Sequence, residues 1–450
     1  MGSTSADVVI IGAGTVGASI AYETARRGAS VIVLDEGSDI GNGCSYANAG
    51  LLAPSHVEPL TTPANVLAGM RYMFQPDSPF HVHPSPRLAP WFARFVRSSG
   101  ATRARELTAR MRELAVHSTR LHAEYAERGL DTGYRANGAM DVFLTERALN
   151  QATANLSTDV ERSEVITGEE ARDREPTLGP VAGAIFRPDE AQVGSQQFVR
   201  ATLRAAQSHG ATIRWGTRAS LVPAERDRIA GVDTPEGRIV ADTYVVAAGL
   251  GSRHLCESVG IRMPMEGAKG YVVDVEVDGE GPRIPLSFRE PKVVATPYSD
   301  RLRLCGTLEL GGDPRSVNAS RVAAIRAAGQ RGLPGVRLRR VVQTWAGLRP
   351  ATADGVPSIG RSAARRDLVV AAGHGMWGLV LAPVTGELLA RGIVEDAPTM
   401  REAAFSPDRF GRPRRSSSPR AGRPVLAARA AAPPVDPPTR TPMRQREEPQ

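Results

Sequence analysis

Apolar residues follow two different rhythms along this chain. Residues 8–11 (Val-Val-Ile-Ile) form an unbroken β-branched run, the pattern of a strand buried on both faces. A turn at Gly12 follows, then a helix-compatible stretch from about Gly14 to Arg27, stopped by Gly28. Residues 30–34 read as a second buried strand ending at Asp35, which completes a βαβ unit. The pattern returns later as a helix over 197–209 broken by Gly210 and a strand over 211–215. Two short strands, 229–233 and 238–242, are joined at Pro235-Glu236-Gly237. Buried strands follow at 243–248 and 368–372, the last leading into a helix to about Ile393. Between 270 and 306 the period becomes two. Residues 271–277 and 301–304 alternate as antiparallel strands with one covered face do. Residues 90–129 read as a helix with Trp91, Phe95, Leu107, Met111, Leu114 and Leu121 on one face, and 141–144 as a strand.

The first turn carries Gly12-x-Gly14-x-x-Gly17, with Asp35 eighteen residues after the third glycine. Gly12 permits the tight turn, Gly14 lets a pyrophosphate approach the backbone, and Gly17 lets helix and strand pack closely. The helix N-terminus, with Thr15 and Val16 in its first turn, supplies free N–H groups and a positive dipole end. Asp35, with Glu36 beside it, is placed to accept hydrogen bonds from a ribose diol. The glycine-rich segment 41–51 then offers Ser45, Asn48, Gly50 and Leu51 to an extended ligand, in preference to a plain surface loop.

A second glycine turn, Gly373-His374-Gly375-Met376-Trp377-Gly378, arrives some 360 residues later. One βαβ turn holds one pyrophosphate. A second helix N-terminus on the same sheet suits the far end of a long cofactor, where a reduced isoalloxazine gathers negative charge. The pair of turns favours FAD over NAD. The expected cofactor contacts at this end are Gly373, His374, Gly375, Met376 and Gly378, with Ala248, Gly249 and Val222 from the intervening strands.

The expected fold is therefore α/β: a Rossmann-like FAD-binding domain (1–59, 186–261 and 343–400) interrupted by a discontinuous α+β substrate domain on an antiparallel sheet (60–185 and 262–342). A disordered basic Pro/Arg-rich tail is expected over 401–450.

Charge changes this picture little. Of a formal net charge of +8, seven arise from Arg409 onward, so the pI near 9.8 belongs to the tail. No nucleic-acid module interrupts the body, and nucleic-acid binding is not expected. Arginine outnumbers lysine chain-wide, the only lysines being Lys269 and Lys292. Three scattered cysteines, Cys44, Cys256 and Cys305, show no metal spacing and fit a reducing cytoplasmic compartment. His56, His81 and His83 lack carboxylate or cysteine partners in sequence, so no metal site is expected. No basic n-region precedes the first strand, and no apolar run approaches the roughly 20 residues of a membrane helix.

From Val8 to about Ile393 the chain resembles the D-amino-acid oxidase superfamily of FAD-dependent oxidoreductases, nearest the bacterial D-amino-acid dehydrogenase small-subunit type. The matching residues are the first glycine turn with Ala21, Gly28 and Asp35; residues 45–50; Pro54-Ser55-His56; residues 72–80; residues 246–252; Lys269-Gly270-Tyr271; Gly347-Leu348-Arg349-Pro350 with Asp354-Gly355; and Gly373-His374-Gly375. The family often carries a hydroxyl residue near Val380, and this chain does not. The resemblance implies oxidative deamination of D-amino acids, with the α-hydrogen leaving as hydride to flavin N5 and electrons passing to a quinone or respiratory-chain acceptor. D-proline and hydroxyproline fall within the implied substrates. It implies that Arg349 grips the substrate carboxylate with two parallel bonds, a role preferred over an ordinary ion pair because of its place in the Leu348-Arg349-Pro350 motif. Tyr271 would bond the substrate, roof the pocket or pack in the core. His374 would meet the flavin or the amino group, and His56 would line the pocket. The alternatives are a glycine- or sarcosine-type oxidase using oxygen and, further off, a basic-tail protein binding nucleic acid or a membrane surface. The expected location is cytoplasmic, at most peripheral to the membrane.

Overall fold

The β-branched run at the start of the chain becomes the strand Thr4–Ile11, central to an eight-stranded sheet in the computed structural model. The structure describes residues 4–411 except 41–42, 73–78, 157–161, 225–226, 314–315, 398–399 and 401–402. The motif over 72–80 therefore lies largely outside the described residues. Thr4–Ile11 pairs in parallel with Val31–Leu34 on one side and Gly237–Val246 on the other. Thr212–Arg214 extends the sheet beyond Val31–Leu34, and Leu368–Ala372 lies parallel to Gly237–Val246. The strands expected at 238–242 and 243–248 are one. Its start closes a hairpin with Ile229–Thr234 while its whole length follows Thr4–Ile11, so nothing breaks it.

Thr15–Ala25, Ser195–Ser208 and Gly378–Val394 lie on one face. Thr15–Ala25 packs against Gly378–Val394 so closely that a Cβ on Gly386 would stand 2.7 Å from the backbone of Ser19. The segment Gly375–Val394 corrects one expectation, being long and apolar enough to cross a bilayer by length and composition. It is apolar because protein surrounds it: Thr15–Ala25 and Ala101–Glu127 both pack on it. The helix expected over 90–129 is two, Ala89–Arg97 and Ala101–Glu127, split at Ser98-Ser99-Gly100. Trp91 and Phe95 join a different core cluster from Leu107, Met111 and Leu121, and one straight helix cannot reach both.

The second sheet is nine-stranded. Its long strands Met265–Asp278, Leu302–Leu310 and Arg337–Thr352 are antiparallel neighbours. Both faces of Ala268–Val275 are buried, not one. Helix Ala319–Gly332 covers one face, and the loop around Ala47 meets Val272 and Cys305 on the other.

The tail begins later than expected. Phe405 is buried, and Arg409 donates to Asp354 Oδ2 at 2.8 Å and Ser358 Oγ at 2.7 Å. Charge pairing and one aromatic hold a segment whose composition alone predicted disorder.

Two buried histidines tie the last helix down. His122 Nε2 lies 3.1 Å from the Leu379 carbonyl, and His374 Nε2 lies 3.2 Å from Thr385 Oγ1. Burial holds both at about 4, below the free value of 6.5. Between those values the unfolded chain binds protons that the folded chain refuses, so stability rises with pH across that window and is lost on acidification. Each histidine contributes up to about 3 kcal/mol of this slope. Melting temperature should fall from pH 6.5 to 4, and His122→Gln should flatten that fall. An unchanged slope would show that His122 does not set it.

Candidate functional site

The site is assembled where three segments meet over the first helix. Gly12 has φ +112°, and its missing Cβ leaves room for the residue pair Ala247-Ala248; the Ala248 Cα would lie 2.8 Å from it. A Cβ on Gly17 would overlap the Gly12 carbonyl oxygen. Turn, helix and neighbouring strand thus touch backbone to backbone, bringing Ala248 and Gly249 beside Gly12. Gly14 caps Thr15–Ala25 with no side-chain hydrogen bond, and no acidic residue occupies the first turn to compete with an anion. Asp35 stands at the turn, accepting from Ala13 N–H and Gly37 N–H, both at 2.8 Å. Ser45 Oγ accepts from Thr15 N–H at 3.1 Å, which carries the 43–50 loop to the helix N-terminus.

The second glycine turn reaches the same place. A Cβ on Gly378 would lie 3.9 Å from Thr15 Oγ1. Gly373, at φ +82°, packs on Thr352, and His374 bridges to Ala351. Two residues earlier on that strand is Arg349. Met376 and Trp377 share with it the wall of a cavity of about 560 Å³, within the size of small-molecule sites. The last helix has neither a side-chain cap nor an acidic first turn. Two helix N-termini free of competing acids fit an anionic cofactor with phosphates at one end and a reducible ring at the other.

Arg349 is half-buried, and its guanidinium lies across Gly270, where any Cβ would overlap it. Nη1 donates to the Thr307 carbonyl at 3.3 Å. No carboxylate stands within ion-pair distance among the described residues. Burial lowers its pKa, but a guanidinium remains charged at neutral pH. A desolvated cation without an anion is costly, so the geometry suits a carboxylate arriving through the cavity.

His56 also lines this cavity. Its Nε2 lies 2.8 Å from Asp141 Oδ1, and Arg187 donates to Asp141 Oδ2 at 2.6 Å. Burial lowers the pKa of His56 despite Asp141 beside it. Burial works against the Asp141 charge, yet His56, Arg289 and Arg187 hold that carboxyl well below the usual range.

Several expected contacts lie elsewhere. Tyr271 is fully buried, with its hydroxyl donating to Glu309 Oε2 at 2.9 Å. Strand alternation explains this. Gly270 faces Arg349, so Tyr271 points to the opposite face, toward the buried Lys269–Glu309 pair. The His374 side chain turns inward to Thr385, leaving its backbone at the turn. Asn48 Oδ1 accepts from Gly50 N–H at 2.9 Å, closing its own turn. Gly50 has φ +77°, and Leu51 pairs with Gln192. Glu36 is exposed, 4.0 Å from Arg218. Val222 sits on the sheet's outer strand opposite Gly231. Val16 is half-buried in the first helix turn.

Sequence reasoning missed Asp141, Arg187, Arg289, Lys292 and Thr307, all of which line the cavity. The readable signals were an aspartate opening an apolar strand and one of only two lysines in the chain.

A family model described as FAD dependent oxidoreductase matches residues 7–391. The chain is 33% identical over 427 residues to a D-amino-acid oxidase of Bradyrhizobium diazoefficiens, covering 90% of this chain and 98% of that protein. It is 32% identical over 418 residues to a D-amino acid dehydrogenase of Paramagnetospirillum magneticum, covering 90% and 97%. Among solved structures, glycine oxidase from Geobacillus kaustophilus is similar, with a TM-score of 0.67, 27% identity and coverage of 90% and 98%.

Proposed function

The chain belongs to the DAO family of FAD-dependent oxidoreductases, and from that membership we propose that it oxidises D-amino acids at the α-carbon. Bound FAD would supply the acceptor for the α-hydrogen and its electron pair; with loss of one N–H proton the substrate becomes an imine that water hydrolyses. The residues fit that cofactor at both ends: the Gly12–Gly17 turn, Asp35 and Ser45 at the phosphate end, and the Gly373–Gly378 turn at the ring end.

Arg349 carries the reading. A charged fork without a carboxylate partner, sharing a cavity wall with Met376 and Trp377, holds an amino-acid carboxylate beside the second glycine turn. Gly270 keeps the space the guanidinium lies in, and the Thr307 carbonyl sets its orientation. With carboxylate and α-carbon fixed, the approach geometry lowers the barrier without any added base. His56 is engaged by Asp141 and is assigned no proton transfer.

The relatives named for D-amino acids favour that substrate class over glycine or sarcosine. The relatives named as dehydrogenases support an acceptor other than oxygen, a quinone being the candidate. The three cysteines are free thiols, which supports a reducing, cytoplasmic setting.

Anaerobic titration tests the reading. Purified protein should carry FAD at one per chain, and D-amino acids should bleach it while their L-enantiomers do not. Bleaching by L-amino acids alone, or by glycine alone, would overturn it.

A further inference from the structure

The cavity holds more positive charge than one carboxylate requires. Besides Arg349, four cationic side chains line it: Lys292, Arg289, Arg187 and Arg112. Among the described residues, two carboxylates, Asp141 and Glu58, share the lining. Asp141 is already divided among Arg187 at 2.6 Å, His56 at 2.8 Å and Arg289 at 3.7 Å. Arg112 donates to the Ser55 carbonyl at 2.8 Å, and its buried Nε has no hydrogen-bond partner in the structure.

Lys292 is the informative member. It makes no ion pair or hydrogen bond among the described residues, and it is an exposed residue on the cavity lining, where Glu58, Asp141 and Glu290 act on its charge from a distance. Its backbone takes φ +55°, a left-handed conformation uncommon for a residue with a Cβ. The strands Val293–Pro297 and Leu302–Leu310 are paired with Val294 opposite Cys305. Continuing that register places Lys292 alongside Thr307, itself left-handed at φ +63° and the residue whose carbonyl holds Arg349. Two cations with no ion pair among the described residues thus line one cavity wall: Lys292 lies alongside Thr307, and the Arg349 guanidinium reaches across Gly270 to the Thr307 carbonyl. Backbone strain persists where the surroundings over-determine it, and here it recurs at both positions.

We infer that the cavity selects D-amino acids bearing a second anionic group on the side chain, of the D-glutamate or D-aspartate type. The α-carboxylate lies on Arg349, and Lys292 with Arg289 receives the side-chain anion. This rests on the proposed D-amino-acid reading and adds the substrate class. Aromatic residues in the cavity, Phe80, Phe92, Phe95 and Phe143, favour a large apolar side chain as the competing occupant. The surplus of cations over described carboxylates on the lining, with the buried Arg112 Nε lacking a partner, tips the choice to the anion.

The test uses the full-length, FAD-loaded protein and compares isosteric pairs in anaerobic flavin reduction: D-glutamate with D-glutamine and D-aspartate with D-asparagine, with D-alanine and D-phenylalanine as references. The acid should exceed its amide in kcat/KM by tenfold or more in at least one pair, and the ratio should shrink with added salt. Lys292→Met should collapse the ratio toward one, and Lys292→Glu should push it below one. Equal rates on acid and amide in the wild type overturn the inference without needing a variant, as does a preference for D-phenylalanine over every acid. Flavin reduced by D-alanine with no acid preference refutes this inference alone. Flavin reduced by no D-amino acid refutes the underlying reading with it.

Discussion

Arg349→Ala should lower kcat/KM on the best D-amino acid by at least three orders of magnitude while flavin content and melting temperature stay near wild type. The side chain reaches the cavity wall and leans on glycine and a carbonyl, so the fold loses little when it goes. Arg349→Lys keeps the charge but not the fork. Losing one charged, two-point contact costs about 2–4 kcal/mol, or a factor of about 30 to 1000 in kcat/KM. An amine without a carboxylate should discriminate little between wild type and variant, because it never uses the guanidinium. Wild-type kcat/KM in Arg349→Ala, or loss of flavin together with activity, would show that the arginine is structural.

Gly14→Val should yield a folded, colourless protein. Gly14 has φ −71° and ψ −176°, a conformation open to any residue, and a Cβ there would meet only Ser45 Oγ, at 3.0 Å. The backbone therefore does not need glycine at this position. What glycine keeps clear is the approach to the helix N-terminus, where a pyrophosphate comes against bare N–H groups. FAD affinity should fall more than a hundredfold, about 3 kcal/mol, with circular dichroism and melting temperature little changed. Gly12→Ala makes the contrast. At φ +112° and against the Ala247 carbonyl, a methyl group strains the turn itself, so folding should suffer as well as flavin. Full flavin occupancy in Gly14→Val would break the link between this turn and the cofactor.

The difference between these two glycines shows how much of the site was legible. Their spacing announced a phosphate-binding turn, but only the packing of Ala247 and Ala248 distinguishes a glycine needed for the fold from one needed for access. Tyr271 shows the opposite failure. Its neighbours Lys269 and Gly270 carried a matching motif, yet a strand shows alternate residues to opposite faces, and Gly270 took the cavity side. His374 was placed at the correct turn with the wrong part of the residue facing outward. Burial among the residues of the last helix decided that, and nothing in the local sequence reports it.

What the sequence determined by itself is what chain neighbours control. Runs of β-branched residues made the parallel strands, and Gly12 and Gly373 placed the turns, because period and φ preference act within a few residues. The tertiary structure decided everything that depends on pairing across distance. Arg349, Thr307 and Lys292 share one wall only because four strands align in a particular register. Asp141 meets Arg187 and His56 from positions 46 and 85 residues away. A charge in sequence has no partner until the fold supplies one, and among the described residues the fold gives Arg349 and Lys292 no ion pair.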